Sequence, residues 1–219
     1  MSTTASYTLA RWGPSGVFQT PVYPMQSFVQ QFLQLLYPAL SDLIQSTRNT
    51  GNVSRTVLND TNESWLSLLH CGLESQDEGT PNDSYPPGHI TDAANPGADQ
   101  KGVVVGTDNT AVAVTDYKLW GALPHGTGGN QLVYYGTWGY SPTVSGNSAT
   151  FIIERIFYNL SGGALSITEA GLYCTAPVSA TGSGNVLESF CIVRDVLPSA
   201  VALGTGDYLR VAYTFRTAL

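Results

Sequence analysis

Residues 207–218 read Asp-Tyr-Leu-Arg-Val-Ala-Tyr-Thr-Phe-Arg-Thr-Ala, and this stretch decides the fold class. Its apolar side chains recur at every second position, at Leu209, Val211, Tyr213 and Phe215, with Arg, Ala and Thr between them. A period of two residues is typical of a β-strand that covers a hydrophobic core on one face only. The stretch therefore predicts an amphipathic strand close to the C-terminus of the sequence.

Segments of similar texture precede this stretch at short, regular intervals. Turn-forming residues separate strand candidates at 102–105, 111–115, 131–136, 150–159, 164–168, 171–175, 187–195 and 208–216. Many short strands at this spacing predict a mainly β fold, an antiparallel β-sandwich of jelly-roll-like type. We expect the sandwich domain to span residues 47–219. Within it, residues 74–101 are rich in Pro, Gly, Asp and Asn, which predicts a long, ordered surface loop at an interface.

A different periodicity precedes the domain. Residues 25–46 place Phe28, Phe32 and several leucines at spacings of three and four, which predicts one N-terminal amphipathic helix. Pro38 lies inside this segment and removes a backbone donor, so we expect it to kink or split the helix.

The first residues of the sequence combine aromatic side chains with turn formers. Residues 1–24 hold Trp12, Phe18 and Tyr23 among several glycines and prolines, which predicts an extended N-terminal arm. Such an arm either lies on a neighbouring subunit or folds back on its own domain. The interface candidates of the N-terminal part are Trp12, Phe18, Tyr23, Phe28 and Phe32.

Charge is scarce in this chain. Charged residues make up 11% of the sequence, against about 25% in typical soluble domains. A surface with so few charges has little repulsion between copies, which favours a homo-oligomer. The net charge of −7 and the scattered arginines argue against a nucleic acid or an anionic membrane as partner.

The sequence has no recognisable catalytic or metal-binding motif. Its histidines and cysteines are His70, His89, His125, Cys71, Cys174 and Cys191. None of them has the spacing of a zinc site, a disulfide framework or a nucleophilic motif, so we expect no enzyme, no cofactor and no metal. We interpret the acidic clusters near Asp60 and Asp77 as solvated loop acids rather than calcium ligands. The N-terminus shows no secretory signal pattern, which predicts synthesis and assembly in a cytosol.

The order of several sequence blocks carries a resemblance. The first block joins Gly102-Val-Val-Val-Gly106-Thr107, Thr110-Ala-Val and Thr115-Asp116-Tyr117-Lys-Leu119. The second is Glu154-Arg155-Ile-Phe157-Tyr-Asn159-Leu-Ser161-Gly162, and the third is Ile167-Thr-Glu169-Ala-Gly171-Leu172-Tyr173. Arg194-Asp195-Val196 and Gly206-Asp-Tyr-Leu209-Arg-Val211-Ala-Tyr213 complete the order. Over about residues 102–219 this succession resembles structural proteins of tailed-bacteriophage virions, especially tail-collar and tail-fibre-type modules. The resemblance implies a non-enzymatic subunit of the virion, assembled in the host cytoplasm and placed in the tail or the fibre-attachment region. A decoration (cement) protein of the phage head is the structural alternative, and in both cases the partners are copies of the chain and other virion proteins.

Charged residues inside otherwise apolar strands predict one structural feature of these blocks. Glu169 and the arginines Arg155 and Arg194 occupy such positions, so we expect a partly buried ion pair between Glu169 and one of the arginines. A catalytic carboxylate pair of Glu154 and Glu169 is the less favoured interpretation, because acid/base pairs need a shared cleft.

An aromatic segment supports an alternative of another class. Trp120, Tyr134, Tyr135, Trp138 and Tyr140 follow one another closely, and aromatic rings on a β-sandwich can stack on sugars. Trp120, Trp138 and Tyr140 are therefore candidates for glycan stacking in a carbohydrate-binding, receptor-recognition module on a host surface. The competing interpretation is that these rings fill the core or a subunit contact.

Overall fold

The computed structural model describes residues 2–25, 28, 45–48, 54–57, 96–140, 142–180 and 184–218. Every secondary-structure element within these residues is a β-strand. The mainly β, antiparallel prediction is therefore confirmed. The strands are β1 (Ser2–Trp12), β2 (Phe18–Gln19), β3 (Tyr23–Pro24), β4 (Gln45–Arg48), β5 (Ser54–Val57), β6 (Gly102–Gly106), β7 (Val133–Gly139), β8 (Thr143–Ser145), β9 (Ser148–Tyr158), β10 (Leu165–Ala180), β11 (Gly184–Leu203) and β12 (Tyr208–Ala218).

The first sheet is built around β12. Its strand order is β2-β1-β12-β9-β7, with β3 added to β1 and β8 added to β9, and each pairing is antiparallel. The alternation predicted for β12 is present, since Leu209, Val211 and Tyr213 are all fully buried. This periodicity fixes the register, because a slip of one residue would turn these side chains to the opposite face.

The second sheet is built around the long hairpin of β10 and β11. Its order is β11-β10-β5-β4, and β6 also pairs with β10. The hairpin register shifts between Ile167 and Glu169 and again between Leu172 and Tyr173. At the first shift, residues 197–200 of β11 bulge away from β10, and this bulge accommodates Pro198, which cannot donate a ladder hydrogen bond.

One hydrophobic cluster takes side chains from both sheets. Leu9 and Phe157 enter it from the first sheet, and Val104 and Val193 enter it from the second, all of them fully buried. The two sheets therefore share one core. The opposite face of the first sheet points away from this core.

The N-terminal arm predicted for residues 1–24 is replaced in large part by β1. Ser2–Trp12 pairs along its whole length with β12, from Ser2 opposite Ala218 to Trp12 opposite Tyr208. The physical reason is the alternation of Tyr7 and Leu9, whose buried side chains belong to the shared core. Of the two predicted positions for the arm, folding back on its own domain is the one observed for β1.

The helix predicted for residues 25–46 is not supported by the residues that the structure describes in it. Phe28 forms an antiparallel β-bridge with Val193, and Gln45 and Ser46 belong to β4. These backbone pairings replace helical hydrogen bonds at the described positions. Residues 26–27 and 29–44, with Phe32 and Pro38, lie outside the described residues, as do residues 74–95 of the predicted loop.

Candidate functional site

A buried ionic cluster surrounds Arg194, whose side chain is fully buried. Its Nε donates to Glu169 Oε2 at 2.9 Å, and its Nη1 donates to Asp116 Oδ2 at 2.9 Å. Its Nη2 reaches Asp108 Oδ1 at 3.4 Å and the carbonyl oxygen of Thr110 at 3.0 Å. Of the two arginines predicted as partners for Glu169, the structure therefore places Arg194 there.

The acids of this cluster fasten the irregular segment of residues 107–121, called here the 107–121 loop. Glu169 Oε1 accepts the backbone N–H of Gly121 at 2.6 Å, and its Oε2 accepts that of Trp120 at 3.3 Å. Asp116 accepts the indole N–H of Trp120 at 3.2 Å and the backbone N–H of Ala113 at 2.8 Å. The strand predicted at 111–115 is wrong: this stretch is irregular, and Asp116 takes the Ala113 N–H, which a sheet ladder would use.

Close packing against the second sheet completes the attachment of the loop. The Tyr173 hydroxyl accepts the backbone N–H of Leu119 at 2.7 Å. A Cβ at Gly171 would collide with the Leu119 side chain and lie 2.7 Å from the carbonyl oxygen of Val193. Glycine at position 171 thus permits the close approach of loop and strand.

The cluster has the character of a structural support rather than of an acid/base centre. Glu169 is fully buried, and although its burial raises the pKa of its carboxyl group, the N–H groups of Gly121 and Arg194 act in the opposite direction. Glu154, its partner in the disfavoured catalytic pair, lies on β9 of the first sheet and is bound to Arg210. The two carboxylates therefore have different partners in different sheets.

Arg155, the other predicted partner of Glu169, supports a different junction. It is fully buried and donates to the carbonyl oxygens of Tyr135 at 2.6 Å, Lys101 at 2.8 Å and Val103 at 3.1 Å. Its guanidinium lies 4.7 Å from the centre of the Tyr134 ring, a cation–π contact. Burial lowers the pKa of Arg155 to about 10. This side chain joins β6 to the register shift of β7.

Asp207 fastens the turn before β12. Its fully buried carboxylate accepts the backbone N–H of Ser15 at 2.9 Å and that of Gly204 at 2.8 Å. Burial alone would raise the pKa of Asp207, but these donors and the charge of Arg11 outweigh burial and lower it. The charged form of the acid therefore holds the β1–β2 turn against the β11–β12 turn.

The outward-directed face of the first sheet carries a row of stacked aromatic rings. Trp12 on β1 stacks on Tyr208 of β12 with ring centres 5.6 Å apart and planes 8° apart. Tyr158 on β9 stacks on the other side of Tyr208 at 4.3 Å and 11°. Tyr135 on β7 lies next to this row. Its partial burial raises the pKa of its phenol, and the charge and hydrogen bond of the neighbouring Tyr208 hydroxyl raise that pKa further. We call Trp12, Tyr135, Trp138, Tyr140, Tyr158 and Tyr208 the outer aromatic face.

A polar group lies beside the other two rings of this face. Trp138 is the cross-strand partner of Glu154, and Trp138 and Tyr140 are 54% and 51% exposed. The Tyr140 hydroxyl donates to Glu154 Oε1 at 2.8 Å, and this bond raises the pKa of Tyr140. Arg210 Nε donates to Glu154 Oε2 at 2.6 Å. Two exposed rings are thus held next to a neutralised ion pair.

The structure divides the predicted glycan-stacking set. Trp138 and Tyr140 share the outer aromatic face, whereas Trp120 lies in the 107–121 loop and is bonded to the ionic cluster beneath it. Tyr134 is fully buried in the core, where it packs edge-on against Phe157. The core-filling interpretation therefore holds for Tyr134, whereas glycan stacking by Trp138 and Tyr140 stays a prediction.

The other interface candidates occupy separate places. Trp12 belongs to the outer aromatic face, Phe18 is exposed beneath the Arg11 guanidinium, and Tyr23 packs on the core residue Tyr7. Phe28 is exposed and stacks on Phe215 with ring centres 6.4 Å apart. Phe32 lies outside the described residues.

The described histidine and cysteines are part of the hydrogen-bonded framework or the core. His125 Nδ1 accepts the backbone N–H of Tyr134 at 3.1 Å. Cys174 and Cys191 are buried thiols, and burial raises the pKa of Cys191. His70, His89, Cys71, Asp60 and Asp77 lie outside the described residues. Within the described ranges, no cluster of His, Cys, Asp and Glu is suited to a metal ion, and no helix has the length and hydropathy to cross a membrane.

No protein-family model, curated protein or solved structure matched this chain.

Proposed function

We propose that this chain is a non-enzymatic structural subunit of a tailed-bacteriophage virion, in the tail or its fibre-attachment (collar) region. We further propose that its two sheets form a jelly-roll-like β-sandwich. In this proposal the subunit acts through contacts with its own copies and with other virion proteins, and it is assembled in the host cytoplasm.

The observation that carries the proposal is the convergence of the sequence blocks in which the resemblance to virion proteins lies. Asp116, Glu169 and Arg194 come from three of these blocks and meet in the buried ionic cluster. The first block, which holds Asp116, also supplies Gly106, where a Cβ would lie 2.7 Å from the carbonyl oxygen of Gly121. The blocks thus build the framework of the domain, as expected for a family that shares architecture rather than chemistry.

The ionic cluster is suited to holding a contact loop in one shape. Burying an arginine with its acids adds little net stability compared with apolar packing, but it defines one conformation by its directional bonds. Here it fixes the 107–121 loop, whose Val114 and Trp120 are exposed at 65% and 44%. A loop with exposed apolar side chains and a fixed backbone loses little entropy when a neighbouring subunit docks.

Labelling of whole particles tests the proposal. Antibody raised against the purified chain is applied to phage particles whose genome encodes it, and the particles are viewed by negative-stain electron microscopy. Label at the tail or collar is expected. Label over the head would favour the decoration protein instead, and particles without label, despite detection of the chain in infected cells, would refute a virion role.

A further inference from the structure

We propose that Trp138, Tyr140, Glu154 and Arg210 form a subsite for one neutral sugar residue of a glycan on the outer aromatic face. The inference concerns ligand binding, so it goes beyond the proposed structural role and does not depend on it.

Ring orientation selects Trp138 among the aromatic residues of this face. Trp12, Tyr208 and Tyr158 cover one another's ring faces, because their planes lie nearly parallel in the stacked row. Trp138 is 54% exposed and contacts no other aromatic ring among the described residues. Its electron-rich ring face is thus open to the weakly positive C–H groups of a sugar ring.

The neighbouring polar groups are fixed in position and still have donors to offer. Glu154 holds Tyr140 through one carboxylate oxygen and Arg210 through the other. Arg210 donates from Nε and Nη2, while its Nη1 has no hydrogen-bond partner among the described residues. The Arg210 side chain is 42% exposed, so Nη1 can donate to sugar hydroxyl oxygens without first breaking the ion pair. A few fixed polar groups beside an apolar surface are the usual composition of a ligand site.

Charge and spacing define the class of ligand. The charges of Glu154 and Arg210 cancel, which favours a neutral polyhydroxyl ligand over an anion. Arg216 lies at the far end of β12, about 20 Å along the strand from Arg210, too distant to add a positive charge to this subsite. Trp138 on β7 and Arg210 on β12 lie on the two strands that flank β9 and are offset by two residues in register, so their Cα atoms are about 12 Å apart. The Arg210 side chain reaches back to Glu154, the cross-strand partner of Trp138, so one sugar residue can contact both.

Titration of the whole chain by isothermal calorimetry tests the subsite. The probes are neutral oligosaccharides ending in glucose, galactose, mannose or N-acetylglucosamine, with sialyllactose as the anionic probe. We expect at least one neutral probe to bind, and we expect Trp138→Ala to weaken that binding about tenfold or more. Trp120→Ala is the matched control, because it removes a similarly exposed indole from the loop rather than from the outer aromatic face, and it should leave the affinity unchanged.

Three outcomes would overturn the subsite. These are the absence of heat with every neutral probe at millimolar concentration, binding of sialyllactose alone, and equal losses in the two tryptophan variants with unchanged circular dichroism. Sedimentation of the same samples separates this inference from the structural role. If Trp138→Ala dissociates an oligomer and no sugar binds, the face is a contact between copies, which refutes the subsite while supporting the virion role.

Discussion

Replacing Glu169 by glutamine removes the charge at the centre of the buried ionic cluster while keeping the side-chain shape. The carboxylate accepts three N–H groups, from Arg194, Gly121 and Trp120. An amide has a single acceptor oxygen, so in Glu169→Gln an NH₂ group must face at least one of these donors. Both the lost charge and the opposed donors destabilise the folded state.

The expected size of the effect follows from the partners that remain. Breaking a buried ion pair costs about 3–5 kcal/mol, and Arg194 still retains Asp116 and Asp108, so we expect the lower end, about 3 kcal/mol. For a chain of this length, about 2–4 °C of melting temperature accompanies each kcal/mol, which predicts a fall of about 6–12 °C.

Urea unfolding monitored by near-UV circular dichroism measures this loss, and amide hydrogen exchange locates it. Exchange at Gly121 and Trp120 should accelerate, because their backbone N–H groups lose part of their acceptor. Glu154→Gln is the matched control: Glu154 is itself buried, but its partner Arg210 is 42% exposed and stays hydrated, so we expect a smaller loss of about 1 kcal/mol. An unchanged free energy of unfolding for Glu169→Gln, or an equal loss in both variants, would refute the reasoning.

Three further outcomes are expected. Gly171→Ala should lower the free energy of unfolding by about 1–3 kcal/mol in urea titrations, because the added methyl group collides with the loop and a facing carbonyl, whereas Gly163→Ala, with open space around it, should be nearly neutral. Asp207 has a lowered pKa in the folded state, so its stabilising contribution is present above the unfolded pKa of about 3.9 and is lost as the pH falls through the folded value. The stability difference between wild type and Asp207→Asn should accordingly shrink below about pH 4 in unfolding curves recorded from pH 6 to 3, and a constant difference would contradict the assignment. Cys174 and Cys191 should resist iodoacetamide in the native protein and react after unfolding, as read by peptide mass spectrometry; native labelling of either would show that its strand is accessible.

Period-two patterning made part of the fold predictable. In β12 the alternation is uninterrupted, so the strand and its buried face followed directly from local sequence. The same pattern at Tyr7 and Leu9 was obscured by the glycines and prolines that follow, which favoured an arm. A strand of this kind is recognised only when its partner is known, because its pairing with β12 spans nearly the whole chain.

The candidate site was predictable to a smaller extent. Charges in apolar strands predicted an ion pair for Glu169, but the sequence did not distinguish Arg194 from Arg155. Asp116 and the loop it holds were missed, because an irregular backbone fixed by side-chain acceptors has no periodicity. Tyr158 and Tyr208 were missed because a stacked row depends on cross-strand register, and the only available signal was their position on the polar face of amphipathic strands.

The pairing of β1 with β12 bears on how the chain is made. Ser2 lies opposite Ala218, so β1 finds its partner only after β12, far along the chain, has left the ribosome. At ordinary elongation rates the time between the synthesis of β1 and that of β12 is roughly 10–40 s. During this time the edges of β1 and β9 that pair with β12 have no hydrogen-bond partner strand. A polypeptide truncated before Tyr208 would leave those strand edges unpaired, and it would be prone to aggregate. Emergence of β12 is thus the step that completes the first sheet.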